Sequence, residues 1–110
     1  MKKLPFIPIY PGDWLRDSVS GCSLAAQALW FRMMMVMHDS DRPGYLSING
    51  SPIPPGSIAQ RCGCTPELYD TLFRELQEAG VPSITQSGVI YSRRMVRDQK
   101  LREKWSKSGK

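Results

Sequence analysis

Histidine occurs once in this 110-residue sequence, as His38, and cysteine three times, as Cys22, Cys62 and Cys64. A Ser-His-Asp or Cys-His arrangement would have to be built around that single imidazole at the end of a predicted helix, where a solvent-facing histidine suits the helix dipole. So few cysteines, in odd number, cannot staple a secreted mini-protein and agree with a reducing compartment. Cys62-Gly63-Cys64 places one residue between its sulfurs, whereas structural zinc sites space paired ligands by about two to four. Inert thiols are expected there, with no metal and no cofactor. Long apolar runs are also missing: Met33 to Met37 is the longest, far short of the roughly 20 residues that cross a bilayer. Its helical spacing reads as core rather than as a soft metal site. Met1-Lys2-Lys3 with Leu4, Phe6 and Ile7 opens like a leader, but Pro5, Pro8 and Pro11 interrupt the apolar region and Asp13 follows. The expectation is a cytoplasmic protein with no membrane partner. Pro54-Pro55-Gly56-Ser57 lacks the lysine and spacing of a phosphate loop, and Asp39 and Asp41 lie among turn formers. Nothing in this inventory points to an enzyme.

Apolar residues at 41% and charged residues at 23% are ordinary globular usage. At 12.4 kDa the chain is one domain, able to bury about two thirds of its unfolded surface. Fifteen Lys and Arg against ten Asp and Glu give +5, which favours an acidic partner such as nucleic acid. That charge is concentrated. Residues 93–110 hold eight basic side chains, Arg93, Arg94, Arg97, Lys100, Arg102, Lys104, Lys107 and Lys110, against Asp98 and Glu103, for +6. Residues 1–92 therefore carry 5 − 6 = −1.

Leu4 to Tyr10 alternates apolar residues with prolines and reads as an extended segment, anchored by Trp14 and Leu15. After Ser23, a candidate N-cap, Leu24, Ala28, Phe31 and Met35 recur at helical spacing, widened by Ala25, Leu29 and Val36, and predict a core helix ending near His38. Gln27 comes one residue late for a capping box. Tyr45 to Ile48 is a strand candidate closed by Asn49-Gly50, and Pro52, Pro54 and Pro55 give an extended approach to the next helix. Residues 57–62 read as a short helix stopped by Gly63, and Thr65-Pro66 opens another, with Leu68, Leu72, Phe73, Leu76 and Ala79 on its apolar face and Gly80 at its end. Two β-rich runs, 81–85 and 89–92, flank Gln86-Ser87-Gly88 as a hairpin. Helix, short strand, helix, helix, hairpin is the order of a winged helix-turn-helix, an α+β fold. We expect a winged-helix domain over residues 1–95, with its core ending near Ser92 to Met95, and a basic C-terminal extension over 96–110 that begins a linker. Asp98 to Arg102 and Glu103 to Lys107 are acid-before-base pairs, and Leu101 with Trp105 makes a narrow ridge, so this extension has helical character.

Several segments carry a family resemblance. Pro8-Ile9-Tyr10-Pro11-Gly12-Asp13-Trp14-Leu15, the helix after Ser23, Ile58-Ala59-Gln60-Arg61, the Leu68 to Gly80 helix, and Gly88-Val89-Ile90-Tyr91-Ser92-Arg93-Arg94-Met95 leading to Ser108-Gly109-Lys110 resemble the N-terminal winged-helix domain of phage and prophage replication initiators, or replisome organisers. The resemblance implies a DNA-binding module without catalysis, and a helicase or loader engaged through later segments absent here.

Double-stranded DNA is thus the expected partner. The candidate contacts are Arg61, Thr65, Thr71 and Arg74 on the helix-turn-helix, Gln86 and Ser87 on the wing, and Arg93, Arg94, Arg97, Lys100, Arg102 and Lys104 on the extension. The charge of residues 66–79 opposes a helix in the major groove, since Glu67, Asp70, Glu75 and Glu78 stand there against Arg74. Two alternatives follow, a protein-interaction or homo-oligomerisation module using that acidic helix, and a transcriptional regulator sharing the same architecture.

Overall fold

The computed structural model describes residues 5–108. Residues 1–4, Gly109, Lys110 and the side chains of residues 106–108, with them the expected cation Lys107, lie outside the described part. The elements run α1 (Pro11–Arg16), a 3-10 turn (Ser18–Gly21), α2 (Leu24–Asp39), β1 (Ser47–Ile48), β2 (Ser51–Pro52), α3 (Pro55–Cys62), α4 (Pro66–Glu78), β3 (Ser83–Ile84), β4 (Ile90–Tyr91) and α5 (Arg93–Ser108). This is a small α+β fold of five helices and antiparallel hairpins, compatible with a winged helix. Leu29, Trp30, Met33 and Met37 of α2 meet Ile58 and Ala59 of α3 and Tyr69 and Leu76 of α4 in one core, closed by Leu46, Ile53, Val81 and Met95.

The core helix is where expected, but it is rotated. Ala26, Leu29, Trp30, Met33, Met34 and Met37 face inward, while the expected stripe of Leu24, Ala28, Phe31 and Met35 faces outward. Leu24 is 84% exposed and Phe31 42%. Apolar residues occupy both sides of α2, so periodicity alone could not choose between two stripes. A similar shift affects α4, where Tyr69 is buried in place of the expected Leu68.

Ser23 caps α2 as expected, its Oγ accepting from the Ala26 N–H at 3.1 Å. The acid of a capping box is supplied from another helix. Glu75 of α4 accepts from the Ser23 backbone N–H and, at 2.8 Å, from its hydroxyl. That position normally belongs to a residue three places into the same helix, and here it ties α4 to the start of α2. The two hydrogen bonds from Ser23, backbone first, hold the Glu75 carboxyl below its usual range.

Helix α1 falls inside a segment read as anchored but not helical. Pro11 stands in its first turn, where a fixed φ and a missing N–H cost nothing. Trp14 donates to Gln27 at 3.2 Å and meets Phe31 edge-on at 6.4 Å, whereas Leu15, the other expected anchor, is 71% exposed.

The expected strand over 45–48 serves two partners. Ser47 and Ile48 pair with β2 around Asn49-Gly50, both at positive φ, and Pro52 is accommodated at the outer edge of this two-stranded hairpin. Before them, Tyr45 bridges Tyr91 and the Leu46 N–H donates to Ile90 at 2.8 Å, joining the first hairpin to β4. Gly44 sits at the head of this pairing. Its N–H donates to Met37 at the end of α2, and its carbonyl accepts from Ser92 just before α5. It is buried with φ +96°, and a Cβ there would stand 2.9 Å from Val96 Cγ2.

Helix α5 starts at Arg93, so the expected 95/96 boundary falls within one continuous helix. Met95 is buried, and Trp105 further along is 64% exposed. Of the expected pairs along it, Arg102 donates to Gln99 at 2.7 Å instead of Asp98, and Glu103 accepts from Gln99.

Two outcomes are expected. Replacing Gly44 with Ala imposes a positive φ on an L-residue, costing about 1–3 kcal/mol before the contact with Val96 is counted, and urea denaturation should show at least that loss. Because the Glu75 carboxyl is lowered in the folded state, its contribution is complete above the unfolded carboxylate range and is lost as pH falls through the folded value. Wild type should therefore exceed Glu75→Gln in stability at pH 7, with the gap closing in acid; a gap that persists unchanged at pH 2 would contradict this role.

Candidate nucleic-acid interface

Helical geometry spreads the basic side chains of α5 over two adjoining surfaces. Arg93, Arg97, Lys100 and Lys104 follow one another at spacings of four, three and four, which places them along one stripe. With Tyr91, Val96 and Leu101 they line a shallow groove of about 400 Å³, apolar on its floor and cationic on its rim. Arg97, Lys100 and Lys104 are exposed. Tyr91 continues the surface away from α5: it stacks on Tyr45 at 5.2 Å, and the Arg42 guanidinium lies 3.9 Å from the Tyr45 ring centre. Basic groups are thereby interleaved with aromatic rings.

Arg94 and Arg102 line instead a cleft of about 310 Å³ between the N-terminal segment, α2 and α5, which Arg93 and Arg97 also line. Arg94 forms an ion pair with Asp13 of α1 at 2.8 Å, both side chains being partly exposed. Such a pair contributes about 1 kcal/mol or less, and its main effect is to fix where α1 meets α5. Arg93 is also engaged within the chain. Its guanidinium donates to the Gly80 carbonyl at 2.9 Å and to the Ser83 hydroxyl, capping the end of α4 with a cation and fixing the base of the β3–β4 hairpin.

The helix-turn-helix candidates lie apart from the α5 groove. Thr65 is the N-cap of α4, its Oγ1 accepting from Leu68 at 3.1 Å, and Thr71 donates back to the Glu67 carbonyl. Arg61 is exposed in the last turn of α3, beside a second cleft that also includes Arg32, Asp39 and Asp41. Arg74 is exposed on α4 among Glu67, Asp70 and Glu78, which are also exposed, while Glu75 is engaged at Ser23. Gln86 and Ser87 are exposed at the tip of the β3–β4 hairpin, where the Ser87 and Thr85 hydroxyls lie 3.0 Å apart. The structure thus gathers four of the twelve candidates in one groove, places Arg94 and Arg102 in the adjoining cleft that Arg93 and Arg97 also border, and leaves six on separate surfaces.

Tyr91, Tyr45 and Arg42 were not among the sequence candidates. An aromatic flanked by strand residues reads as core, and only the pairing of Tyr45 with Tyr91 brings Arg42 near the groove. The thiols behave as apolar groups: burial pushes the Cys62 pKa up to about 11 and raises those of Cys22 and Cys64. Among the described residues no three His, Cys, Asp or Glu side chains are grouped to hold a metal, and no helix is long and apolar enough to cross a membrane. No family model matches the chain, and neither a curated protein nor a solved structure shows significant similarity to it.

Proposed function

We propose that this chain is a winged-helix domain that binds duplex DNA in the cytoplasm, as the recognition module of a phage-type replication initiation protein. The observation that carries the reading is the stripe of Arg97, Lys100 and Lys104 on the exposed side of α5, beside Arg93 and the Tyr91 ring. From Arg97 to Lys104 the stripe runs about 10 Å along the helix axis, long enough to meet successive phosphates of one strand. These are positioning contacts, insensitive to sequence. The replication context rests on the resemblance of residues 8–15 and 88–95 to replisome organisers.

Helix α4 supports a different docking from the common one. A recognition helix in the major groove passes between phosphate rows, and the exposed Glu67, Asp70 and Glu78 oppose that placement, with Arg74 alone to offset them. The same carboxylates favour a second role for α4, as a surface for a cationic protein partner. In this reading α5 leads the approach to DNA, and the β3–β4 hairpin, with its uncharged Gln86-Ser87 tip, acts as a short wing beside it.

Binding should be strongly salt-dependent and should not require the interior. In anisotropy titrations on a labelled duplex, the triple variant Arg97→Gln/Lys100→Gln/Lys104→Gln should reduce the slope of log affinity against log salt by about 2.7, roughly 0.9 for each phosphate no longer neutralised. Its affinity at low salt should fall by more than tenfold, since each cation contributes on the order of 1 kcal/mol. Unchanged affinity and slope in a folded triple variant would remove α5 as the DNA-binding element.

A further inference from the structure

Phosphate contacts account for the cations of α5 but not for the apolar surface among them. Tyr91, Val96 and Leu101 form the floor of the groove that Arg93, Arg97, Lys100 and Lys104 border. Leu101 is 39% exposed, and Trp105, one turn further along the same side of the helix, is 64% exposed. Each directly follows a lysine, Lys100 or Lys104, so the apolar pair flanks the cationic stripe. Tyr91 stands at the other end of the groove. Its ring is stacked on Tyr45, beside which the Arg42 guanidinium lies, so its plane is set by its neighbours.

A duplex cannot engage these apolar groups along its length. Its bases are stacked on one another, and it presents phosphates and base edges to a protein. An aromatic ring gains by stacking on a base only where the face of that base is free, as in a single strand. We infer that α5 holds a run of unpaired DNA nucleotides, with phosphates on Arg97, Lys100 and Lys104, one base on Trp105 and another at the Tyr91 end of the groove. This rests on the reading of the cationic stripe as a phosphate-binding surface. From Arg93 to Trp105 the helix runs about 18 Å, the length of several nucleotides at about 3.4 Å per stacked base.

Other occupants suit the surface less well. A helix that lies in a membrane surface needs a broad apolar face, whereas Leu101 and Trp105 stand in a narrow strip between the cationic stripe on one side and Asp98 and Arg102 on the other. An apolar protein surface would strip water from the neighbouring cations without offering them an anion. A single strand supplies both an anion for each cation and a flat apolar face for each ring.

Anisotropy titrations of the full 110-residue chain test this with three labelled probes. The first is a long blunt duplex. The second adds a single-stranded thymidine tail of about ten nucleotides, within the site size of a single-strand groove, and the third carries an abasic tail with the same number of phosphates. The thymidine tail should bind about tenfold tighter than the abasic one, the gain expected from a stacked base. Trp105→Ala should abolish that difference and leave the affinity for the blunt duplex within about twofold of wild type. Tryptophan fluorescence should be quenched by the thymidine tail. Trp105→Phe, which keeps a stacking ring, should retain the tighter binding and lose most of the quench. Equal affinity for the two tails, with duplex binding and its salt slope intact, overturns this inference and leaves the phosphate-binding reading standing. No binding to any probe removes both. The inference is also overturned if Trp105→Ala weakens blunt duplex and thymidine tail alike, or if the chain binds vesicles of anionic phospholipid more tightly than the tailed duplex.

Discussion

Gly44 joins the three parts of this fold that sequence distance keeps apart. Its N–H satisfies a carbonyl in the last turn of α2, its own carbonyl receives the N–H that precedes α5, and its missing Cβ leaves room for Val96. A positive φ is needed there, and glycine adopts it without strain. From that point the next two residues run alongside β4, so the first hairpin, the second hairpin and the start of α5 share one register. The direction in which α5 leaves the body, and therefore where its cations are presented, follows from a backbone pairing whose first member lies far earlier in the chain.

Charge in this molecule does two kinds of work, and the local composition does not separate them. Glu75 and Arg93 both complete helix ends: the carboxylate serves the N–H and hydroxyl at the start of α2, and the guanidinium serves a carbonyl at the end of α4. Both placements agree with the helix dipole. Arg94 is paired to Asp13. With these groups committed to the fold, the basic residues of α5 divide into a structural part at its beginning and the exposed Arg97, Lys100 and Lys104 further along. The acidic character of α4 is likewise smaller on its outer surface than its sequence suggests, since one of its four carboxylates is turned to α2.

Much of the layout was legible from local signals. Thr65-Pro66, Gly63 and Ser23 mark helix ends because caps act within three or four residues, and the structure places helix boundaries beside each of them. The hairpin after Gly80 is also local, set by Gln86-Ser87-Gly88 between two β-rich runs. What was not legible depended on distant partners. The side of α2 that faces the core is decided by where α3 and α4 dock, and a helix with two apolar stripes offers them a choice that periodicity leaves open. The division of the basic candidates was hidden for the same reason, because Gly80, Ser83 and Asp13 are 10 to 81 residues away from the arginines they engage. Helix α1 escaped notice through a different conflict: three prolines argue for extension as a group, while Pro11 alone, in a first turn, is compatible with a helix.

The apolar surplus on α2 is best understood together with the size of the chain. A 110-residue domain has few side chains with which to cover a 16-residue helix, and α3 and α4 together screen its inner side. The parts of Phe31 and Met35 still in water, 42% and 38% of each, forgo burial that would otherwise contribute about 25 cal/mol per Å² of apolar surface. Replacing them with polar residues would remove that cost. The cations of α5 obey the opposite constraint, since they lose hydration if covered by protein and gain from meeting phosphate. The two surfaces therefore differ in what covering does to them: apolar side chains of α2 lose contact with water at a gain, and the cations of α5 do so only against an anion.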